Sequence, residues 1–111
     1  MLAQYIEPFR CDVTPGDDQV IVAPHGELDM ATIGAVEQAL QRHRDRGSRK
    51  LVLDLRGLAF MDSSGLHLAA RWAQASSRDG FEFEIVPGPR VVQRVFDLAE
   101  MTPGLPFREP E

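Results

Sequence analysis

The chain has 111 residues, a formal net charge of −5 at pH 7, 43% hydrophobic residues and 26% charged residues. This balance is typical of a folded globular domain, and the acidic excess favours binding neither to nucleic acid nor to an anionic membrane. The single cysteine, Cys11, cannot form an internal disulfide. The sequence shows neither a signal peptide nor an apolar run of bilayer length, so we expect a cytoplasmic location.

The first segment of the chain predicts a pair of antiparallel strands. Residues 9–13 alternate apolar and polar side chains, which is typical of a half-buried strand. Residues 19–24 form a β-branched run, and a cluster of turn-forming residues at 14–18 separates the two. Because so short a connection returns the chain on itself, we expect the two strands to pair antiparallel.

A helix is predicted within residues 26–47. Asp29 could cap its N-terminus, and Thr32 is an alternative for that position. Gly47 suits the residue that follows a helix. Apolar residues recur at helical spacing, and basic residues near the end complement the helix dipole: Ile33, Val36 and Leu40, then Arg42, His43, Arg44 and Arg46.

The second half of the chain predicts further strands and helices in alternation. Residues 50–55 are almost continuously apolar, as in a strand buried on both faces, and Asp54 within them would need a partner if buried. Residues 56–62 are predicted to form a loop. The remaining predictions are a helix from Ser63 to Arg78 ending at Asp79-Gly80, a strand at 81–86, a helix within 87–101 with Pro89 at its first position, and an irregular, partly mobile tail at 102–111.

The predicted helix that begins at Ser63 has two apolar faces. Leu68 and Trp72 lie one turn apart on one of them. They would either contact a neighbouring helix or form an exposed anchor for a partner protein. The adjacent face would allow close packing on a sheet through Leu66, Ala69, Ala70 and Ala73.

The element order β-β-α-β-α-β-α predicts a single α/β domain, with helices packed against a mixed four-stranded sheet. In parallel strand–helix units, the loops after the strands lie along one edge of the sheet, where ligands usually bind. Three loops fall at this edge, at 25–29, 56–64 and 87–89. We therefore expect Asp29 and Ser63 to lie close together, each near a helix N-terminus.

The stretch DSSG at 62–65 allows three interpretations. Asp62 could simply cap the following helix. Ser63 or Ser64 could be a nucleophile. Alternatively, Ser63 could accept a phosphate, which adds about −1.5 to −2 charges at pH 7 and would be repelled by Asp62. Gly65 leaves room for close approach by backbone or by a phosphate.

The nucleophile interpretation has little support. His67 follows Ser63 by four residues, but no orienting carboxylate is evident, and neither the G-x-S-x-G nor the S-x-x-K motif is present. Dinucleotide-type and Walker-type glycine patterns are also absent from the sequence. The histidines and the cysteine lack metal-ligand spacing, so we expect no metal and no cofactor: His25, His43, His67 and Cys11.

Three segments resemble the STAS domain family, and specifically its bacterial anti-sigma factor antagonists. They are GELDMAT (26–32), LVLDLRGLAFMDSSGL (51–66) and VVQRVFDLAEM (91–101). The second segment is very close to the family's strand–loop–helix signature, including the spacing of Asp54, Asp62, the two serines and Gly65. The resemblance covers roughly residues 9–101.

This resemblance implies a regulator rather than an enzyme. Such proteins bind an anti-sigma factor that is also an ATP-dependent serine kinase, and so release a sigma factor. The kinase phosphorylates the first serine of the signature, here Ser63, with Ser64 as the less favoured acceptor, and a metal-dependent serine phosphatase reverses the reaction. The implied surroundings of the phosphorylated serine are Asp29, Thr32, Asp62, Ser64, Gly65 and Leu66.

The resemblance also suggests how the chain is organised. We expect an N-terminal tail at 1–8, a STAS domain at 9–101 and a Pro-rich C-terminal tail at 102–111. Many relatives continue past the last helix with a further strand or helix, whereas this chain turns Pro-rich, and we expect a monomer or a weak homodimer. The alternative function is a constitutive interaction module in a lipid-transport or stress-signalling complex.

Overall fold

The computed structural model describes residues 7–108, in which a β-hairpin is followed by alternating helices and strands. Among these residues, no helix combines the length and the apolar character needed to cross a membrane. The elements are β1 (Arg10–Pro15), β2 (Val20–Leu28), α1 (Ile33–Asp45), β3 (Lys50–Asp54), β4 (Leu58–Met61), α2 (Ser63–Asp79), β5 (Glu82–Val86), α3 (Arg90–Leu98) and a 3₁₀ turn (Thr102–Gly104).

The strands form one mixed sheet in the order β1-β2-β3-β5. β1 runs antiparallel to β2, while β2 runs parallel to β3, and β3 parallel to β5. β2 is long enough to pair with β3 through Val20–Val22 and with β4 through Gly26–Leu28. The prediction of a single α/β domain with a mixed sheet and packed helices is confirmed.

The predicted loop at 56–62 contains a strand, β4, so the sheet has five strands rather than the predicted four. β4 is only four residues long, and its two ends are buried while Ala59 and Phe60 are exposed. Its four residues are all apolar, so the sequence lacks the alternation of apolar and polar residues that is typical of a half-buried strand. The turn at Arg56-Gly57 also separates it from β3.

The core lies between the sheet and the helices. α1 contributes Val36 and Leu40, which are fully buried, and Ile33 packs against the core's margin. α3 contributes Val92 and Phe96, also fully buried. These residues form the apolar faces predicted for the two helices. Burial of such an apolar stripe holds an amphipathic helix against a sheet.

Leu68 and Trp72 of α2 are buried, with exposures of 0% and 5%. The indole Nε1–H of Trp72 donates to Glu37 Oε2 of α1 at 3.1 Å, and its ring meets Phe81 edge-on with 6.0 Å between centroids. The predicted contact with a neighbouring helix is therefore confirmed, and the alternative of an exposed anchor is wrong.

The chain after α3 packs on the sheet. Pro106 accepts a hydrogen bond from the backbone N–H of Ile85 at 2.9 Å, and the N–H of Arg108 donates to the Ile85 carbonyl at 2.7 Å. The ring of Phe107 packs edge-on against that of Phe96, with 5.0 Å between the ring centroids. Residues 102–108 thus cover part of the outer edge of β5, whose backbone groups would otherwise be unpaired, and they differ in this from the predicted mobile tail.

Two smaller differences from the prediction concern the two ends of α3. Pro89 is the N-cap of α3 rather than its first residue, since its ψ of 168° is extended. α3 ends at Leu98, before the predicted limit of 101. The outer parts of both predicted tails, residues 1–6 and 109–111, lie outside the described residues.

Candidate functional site

Two acidic residues leave neighbouring parallel strands at the same edge of the sheet. The register of β2 and β4 pairs Leu28 with Met61, so Asp29 and Asp62 each follow the last paired residue. The backbone N–H of Asp62 donates to the carbonyl of Leu28 at 3.0 Å. The structure therefore places Asp29 beside the start of α2, where Ser63 is the first residue.

Asp29 organises the turn that leads into α1. Its Oδ1 accepts hydrogen bonds from the backbone N–H groups of Ala31 and Thr32 at 3.0 and 3.2 Å. Thr32 occupies the N-cap position but caps no helical N–H through its side chain. The Thr32 hydroxyl instead donates to the Glu27 carbonyl at 2.8 Å. Both predicted cap candidates thus stabilise the turn. The Asp29 carboxylate accepts from its backbone N–H groups, and the Thr32 hydroxyl links it to β2.

The start of α2 presents a free hydroxyl. Asp62 is the N-cap, and its Oδ1 accepts from the backbone N–H of Ser64 at 2.8 Å. Ser63 is exposed, and within residues 7–108 its hydroxyl takes part in no hydrogen bond with another residue. Ser64 is half-buried. The cap interpretation of Asp62 is confirmed, and Ser63 is left as the accessible hydroxyl of the pair.

Gly65 is required by packing against the two strand ends. A Cβ at this position would lie 2.5 Å from both Cγ and Sδ of Met61 and 3.1 Å from Cδ2 of Leu28. The close approach that Gly65 allows is therefore to these side chains rather than to backbone or to a phosphate. Leu66 is buried with 7% exposure, which agrees with its predicted place on the face of α2 that packs on the sheet.

Asp54 finds its partner in the connection between β3 and β4. Its carboxylate accepts from the backbone N–H of Arg56 and from the guanidinium Nε, both at 3.0 Å, and from Nη2 at 2.9 Å. Burial opposes the charged form, but the hydrogen bonds and charge of Arg56, helped by nearby His25, hold the pKa of Asp54 below its ordinary value. This ion pair fixes the turn through which the chain reaches β4 and Ser63.

The loop at 87–89 packs on the same connection. A Cβ on Gly88 would lie 2.7 Å from the carbonyl oxygen of Leu55. Any other residue would therefore collide with this backbone atom unless the backbone moved. The backbone N–H of Gly88 donates to Oε1 of Gln93 at 2.9 Å. The predicted loop at 87–89 therefore contributes to this edge of the sheet through the packing and hydrogen bonding of its backbone.

Two exposed apolar side chains near this edge were not predicted. Met30 follows Asp29 and is 83% exposed, and Phe60 of β4 is 43% exposed and lies opposite Glu27 in the register. No periodic pattern distinguishes them, because Phe60 lies in the continuously apolar segment Leu58–Met61 and Met30 lies in a turn. Within residues 7–108 no ion pair involves Glu27, Asp29 or Asp62, so the edge combines carboxylates that no cationic side chain neutralises with exposed apolar groups.

The arrangement offers little for nucleophilic or metal chemistry. His67 is exposed, and in the part of the chain that the structure describes no hydrogen bond joins it to Ser63 or Ser64. The same residues hold no group of three or more His, Cys, Asp or Glu side chains placed to bind a metal ion. Among the described residues, Ser63 therefore lacks a hydrogen-bonded base that would activate it as a nucleophile.

Curated proteins similar to this chain include the anti-sigma-B factor antagonist of Staphylococcus aureus strain NCTC 8325. It is 29% identical over 90 residues, which cover 81% of this chain and 83% of the relative. The anti-sigma-B factor antagonist of Staphylococcus epidermidis is 29% identical over 82 residues, covering 74% and 76% of the two chains.

Solved structures with the same fold include an anti-sigma factor antagonist from Mycobacterium paratuberculosis, with a TM-score of 0.74, 24% identity and coverage of 93% of this chain and 87% of that one. Unphosphorylated SpoIIAA, an anti-sigma factor antagonist, has a TM-score of 0.73 at 18% identity, with coverage of 94% and 89%. Phosphorylated SpoIIAA from Bacillus has a TM-score of 0.68 at 17% identity, with coverage of 94% and 92%. The family model of the STAS domain matches residues 10–109, and the chain therefore belongs to the STAS domain family.

Proposed function

We propose that this protein is an anti-sigma factor antagonist that phosphorylation of Ser63 switches off. In its unmodified form it binds an anti-sigma factor that is also an ATP-dependent serine kinase, and the bound kinase releases a sigma factor. Support comes from relatives named anti-sigma-B factor antagonist that align with most of this chain. It also comes from the fold shared with SpoIIAA, which has been solved in unphosphorylated and phosphorylated forms.

The position of Ser63 is the observation that carries the proposal. Ser63 is exposed at the first residue of α2, and among residues 7–108 its hydroxyl has no hydrogen-bond partner to lose on modification. The N-terminal end of a helix carries a partial positive charge, which tolerates a phosphate. A kinase could therefore modify Ser63 without disturbing the packing below it.

The charges around Ser63 determine what the phosphate would change. Asp29 and Asp62 hold their carboxylates in hydrogen bonds to backbone N–H groups, so both stay at this edge. A phosphate adds about −1.5 to −2 charges beside them at pH 7. The local potential then becomes strongly negative while the fold stays the same, because the cap and the core under Gly65 are untouched.

The exposed apolar groups offer a reason for the loss of binding. Met30 and Phe60 provide contact area that a partner can bury. Burying the same surface after phosphorylation would require partial dehydration of a phosphate, and like charges placed opposite one another cost several kcal/mol. We therefore expect the modified protein to lose its partner through desolvation and repulsion.

In this scheme the protein itself performs no catalysis. The kinase supplies ATP and its magnesium ion, and a serine phosphatase restores the unmodified hydroxyl. The chain needs no cofactor for this role, and it would act on transcription through its partner rather than by direct contact with nucleic acid.

The proposal can be tested by phosphorylation with defined partners. The anti-sigma factor serine kinases of the source organism would each be incubated with the protein and ATP, and the modified residue mapped by mass spectrometry. We expect phosphate on Ser63, loss of labelling in Ser63→Ala, and retained labelling in the matched control Ser64→Ala.

A second outcome would indicate a different role. If Ser63→Ala and Ser63→Asp both keep full binding to the captured partner, and no kinase labels the chain, the phosphorylation switch is wrong. The constitutive interaction module would then be the better description, particularly if the captured partner belongs to a lipid-transport or stress-signalling complex.

A further inference from the structure

A cleft separates the C-terminal halves of α1 and α2, far from Ser63. Its cavity has a volume of about 410 Å³, and its lining includes Arg44, Arg71, Arg78, Trp72 and Phe81. Arg78 follows Ser63 by fifteen positions along α2, which corresponds to roughly 22 Å of helix. The cleft is therefore separate from the edge that carries the proposed phosphorylation site.

Arg44 is held in place by an aromatic ring. Its guanidinium carbon lies 4.5 Å from the centroid of Phe81, and within residues 7–108 no carboxylate lies within ion-pair distance of it. Stacking fixes the plane of a guanidinium and leaves the N–H donors at its rim available. Such a group is preorganised to receive an anion, since little side-chain entropy remains to be lost.

The other charges of the cleft leave a positive excess. Glu37 Oε2 accepts from Arg71 Nη2 at 3.2 Å and from the Trp72 indole at 3.1 Å, so this carboxylate is engaged twice. Of the carboxylates that the structure describes, Arg78 pairs with that of its neighbour Asp79 alone, and both side chains are well exposed, at 71% and 42%. Exposed pairs of this kind are weak, and Arg78 can therefore turn towards a ligand.

We propose that this cleft binds a small organic anion. Its phosphate or carboxylate group would be bound by Arg44 with Arg78, because the fork of an arginine matches the oxygens of either group in pairs. The rest of the molecule would occupy the cleft between α1 and α2, next to the small exposed parts of Trp72 and Phe81, which are 5% and 8% exposed. The cavity volume of about 410 Å³ falls within the range of small-molecule sites.

The chain carries its own reporter for this site, because Trp72 is its single tryptophan. The indole N–H resonance of ¹⁵N-labelled protein would be followed during titration with phenyl phosphate, with benzoate, and with benzyl alcohol as a neutral analogue, all at constant ionic strength. We expect a saturable shift with at least one of the two anions and none with benzyl alcohol. The anion that saturates identifies the preferred group.

Matched variants separate a site from a general effect of charge. Arg44→Gln and Arg78→Gln are each expected to weaken binding by roughly tenfold or more, the loss typical of a charge-assisted hydrogen bond. Arg42→Gln makes the same change of charge at an exposed position of α1 outside the cleft and should leave the affinity unchanged. The ¹⁵N spectrum of each variant shows whether it remains folded.

The proposal is overturned if both anions give only a linear, unsaturated shift, or if Arg42→Gln weakens binding as much as Arg44→Gln. Its result is independent of the proposed function, since Ser63 does not line the cleft. A failed titration would not bear on the proposed phosphorylation of Ser63, and a failure to phosphorylate Ser63 would not bear on anion binding in the cleft.

Discussion

The backbone N–H of Asp62 donates to the carbonyl of Leu28 at 3.0 Å, which joins the N-cap of α2 to the end of β2. Together with the pairing of β2 and β4, this bond brings two segments 34 positions apart in the chain to one place. It sets Ser63 beside Asp29, and it holds the start of α2 so close to the strand ends that Gly65 has no room for a side chain.

The first prediction concerns this close packing. Gly65→Ala is expected to lower the free energy of unfolding by about 1–3 kcal/mol, because the new Cβ would collide with buried Met61. The loss should exceed the gain of about 1 kcal/mol that alanine brings to a helix. Urea denaturation followed by circular dichroism measures the difference.

Gly34→Ala is the matched control for this variant. Gly34 lies in α1, and a Cβ there would meet nothing within 4 Å. We expect it to raise the free energy of unfolding by up to about 1 kcal/mol. An equal gain in Gly65→Ala would show that the helix start is not packed as described.

The second prediction separates the cap from its charge. Asp62→Asn keeps an oxygen that can accept from the N–H of Ser64, and it should change the free energy of unfolding by only about 0.5 kcal/mol. Asp62→Ala removes the acceptor and should lower that free energy by about 1 kcal/mol. Thermal unfolding would measure both, and equal stability of the two variants would contradict the role of Asp62 as the cap.

The third prediction is a dependence of stability on pH. Arg56 holds the pKa of Asp54 below its ordinary value although burial opposes this, so ionised Asp54 stabilises the fold. A lowered pKa means that the stabilisation is present above the unfolded-state pKa of about 3.9 and is lost as the pH falls through the folded-state pKa.

Asp54→Asn should therefore be less stable than the parent protein at pH 7 by about 1 kcal/mol, because the charge-assisted hydrogen bonds between the largely buried Asp54 carboxylate and the exposed Arg56 guanidinium are weakened. The difference should shrink once the pH falls below about 4, and denaturant titrations at several pH values would follow it. Asp17→Asn, in an exposed turn, should show little difference at either pH. A constant difference for Asp54→Asn across this range would contradict the assignment.

The fourth prediction concerns the chain after α3. Phe107→Ala should lower the free energy of unfolding by about 2 kcal/mol, since it removes a half-buried ring from its contact with Phe96. Leu98→Ala is the control, because Leu98 is 75% exposed and its loss should change little. If the two variants had equal free energies of unfolding, the packing of residues 102–108 would not contribute to the stability of the fold.

Much of the fold follows from local patterns in the sequence. The apolar stripes of α1 and α3 and the continuous apolar run of β3 repeat over enough residues to be recognised. The order of these elements then predicts the parallel sheet and its functional edge. The position of Asp29 beside Ser63 is a consequence of that topology, and the structure shows the hydrogen bond that accomplishes it.

What the sequence could not show depends on contacts between distant residues. β4 has two buried ends and an exposed middle, and among the strands that the structure describes it pairs with β2 alone. The pairing of Phe107 with Ile85 joins residues 22 positions apart and has no local signal. The exposure of Met30 and Phe60 is likewise set by the surrounding fold, since Phe60 is exposed within a run of four apolar residues whose two ends are buried.

The central claim is that a phosphate on Ser63 abolishes partner binding. The most direct measurement installs phosphoserine in place of Ser63 during translation and compares calorimetric titrations of modified and unmodified protein with the anti-sigma factor serine kinase that labels it. We predict that the modified protein binds at least roughly a hundredfold more weakly, as repulsion of about 3 kcal/mol would cause, while phosphoserine in place of Ser64 has a smaller effect. Equal affinity of the unmodified protein and the protein phosphorylated at Ser63 would contradict the account.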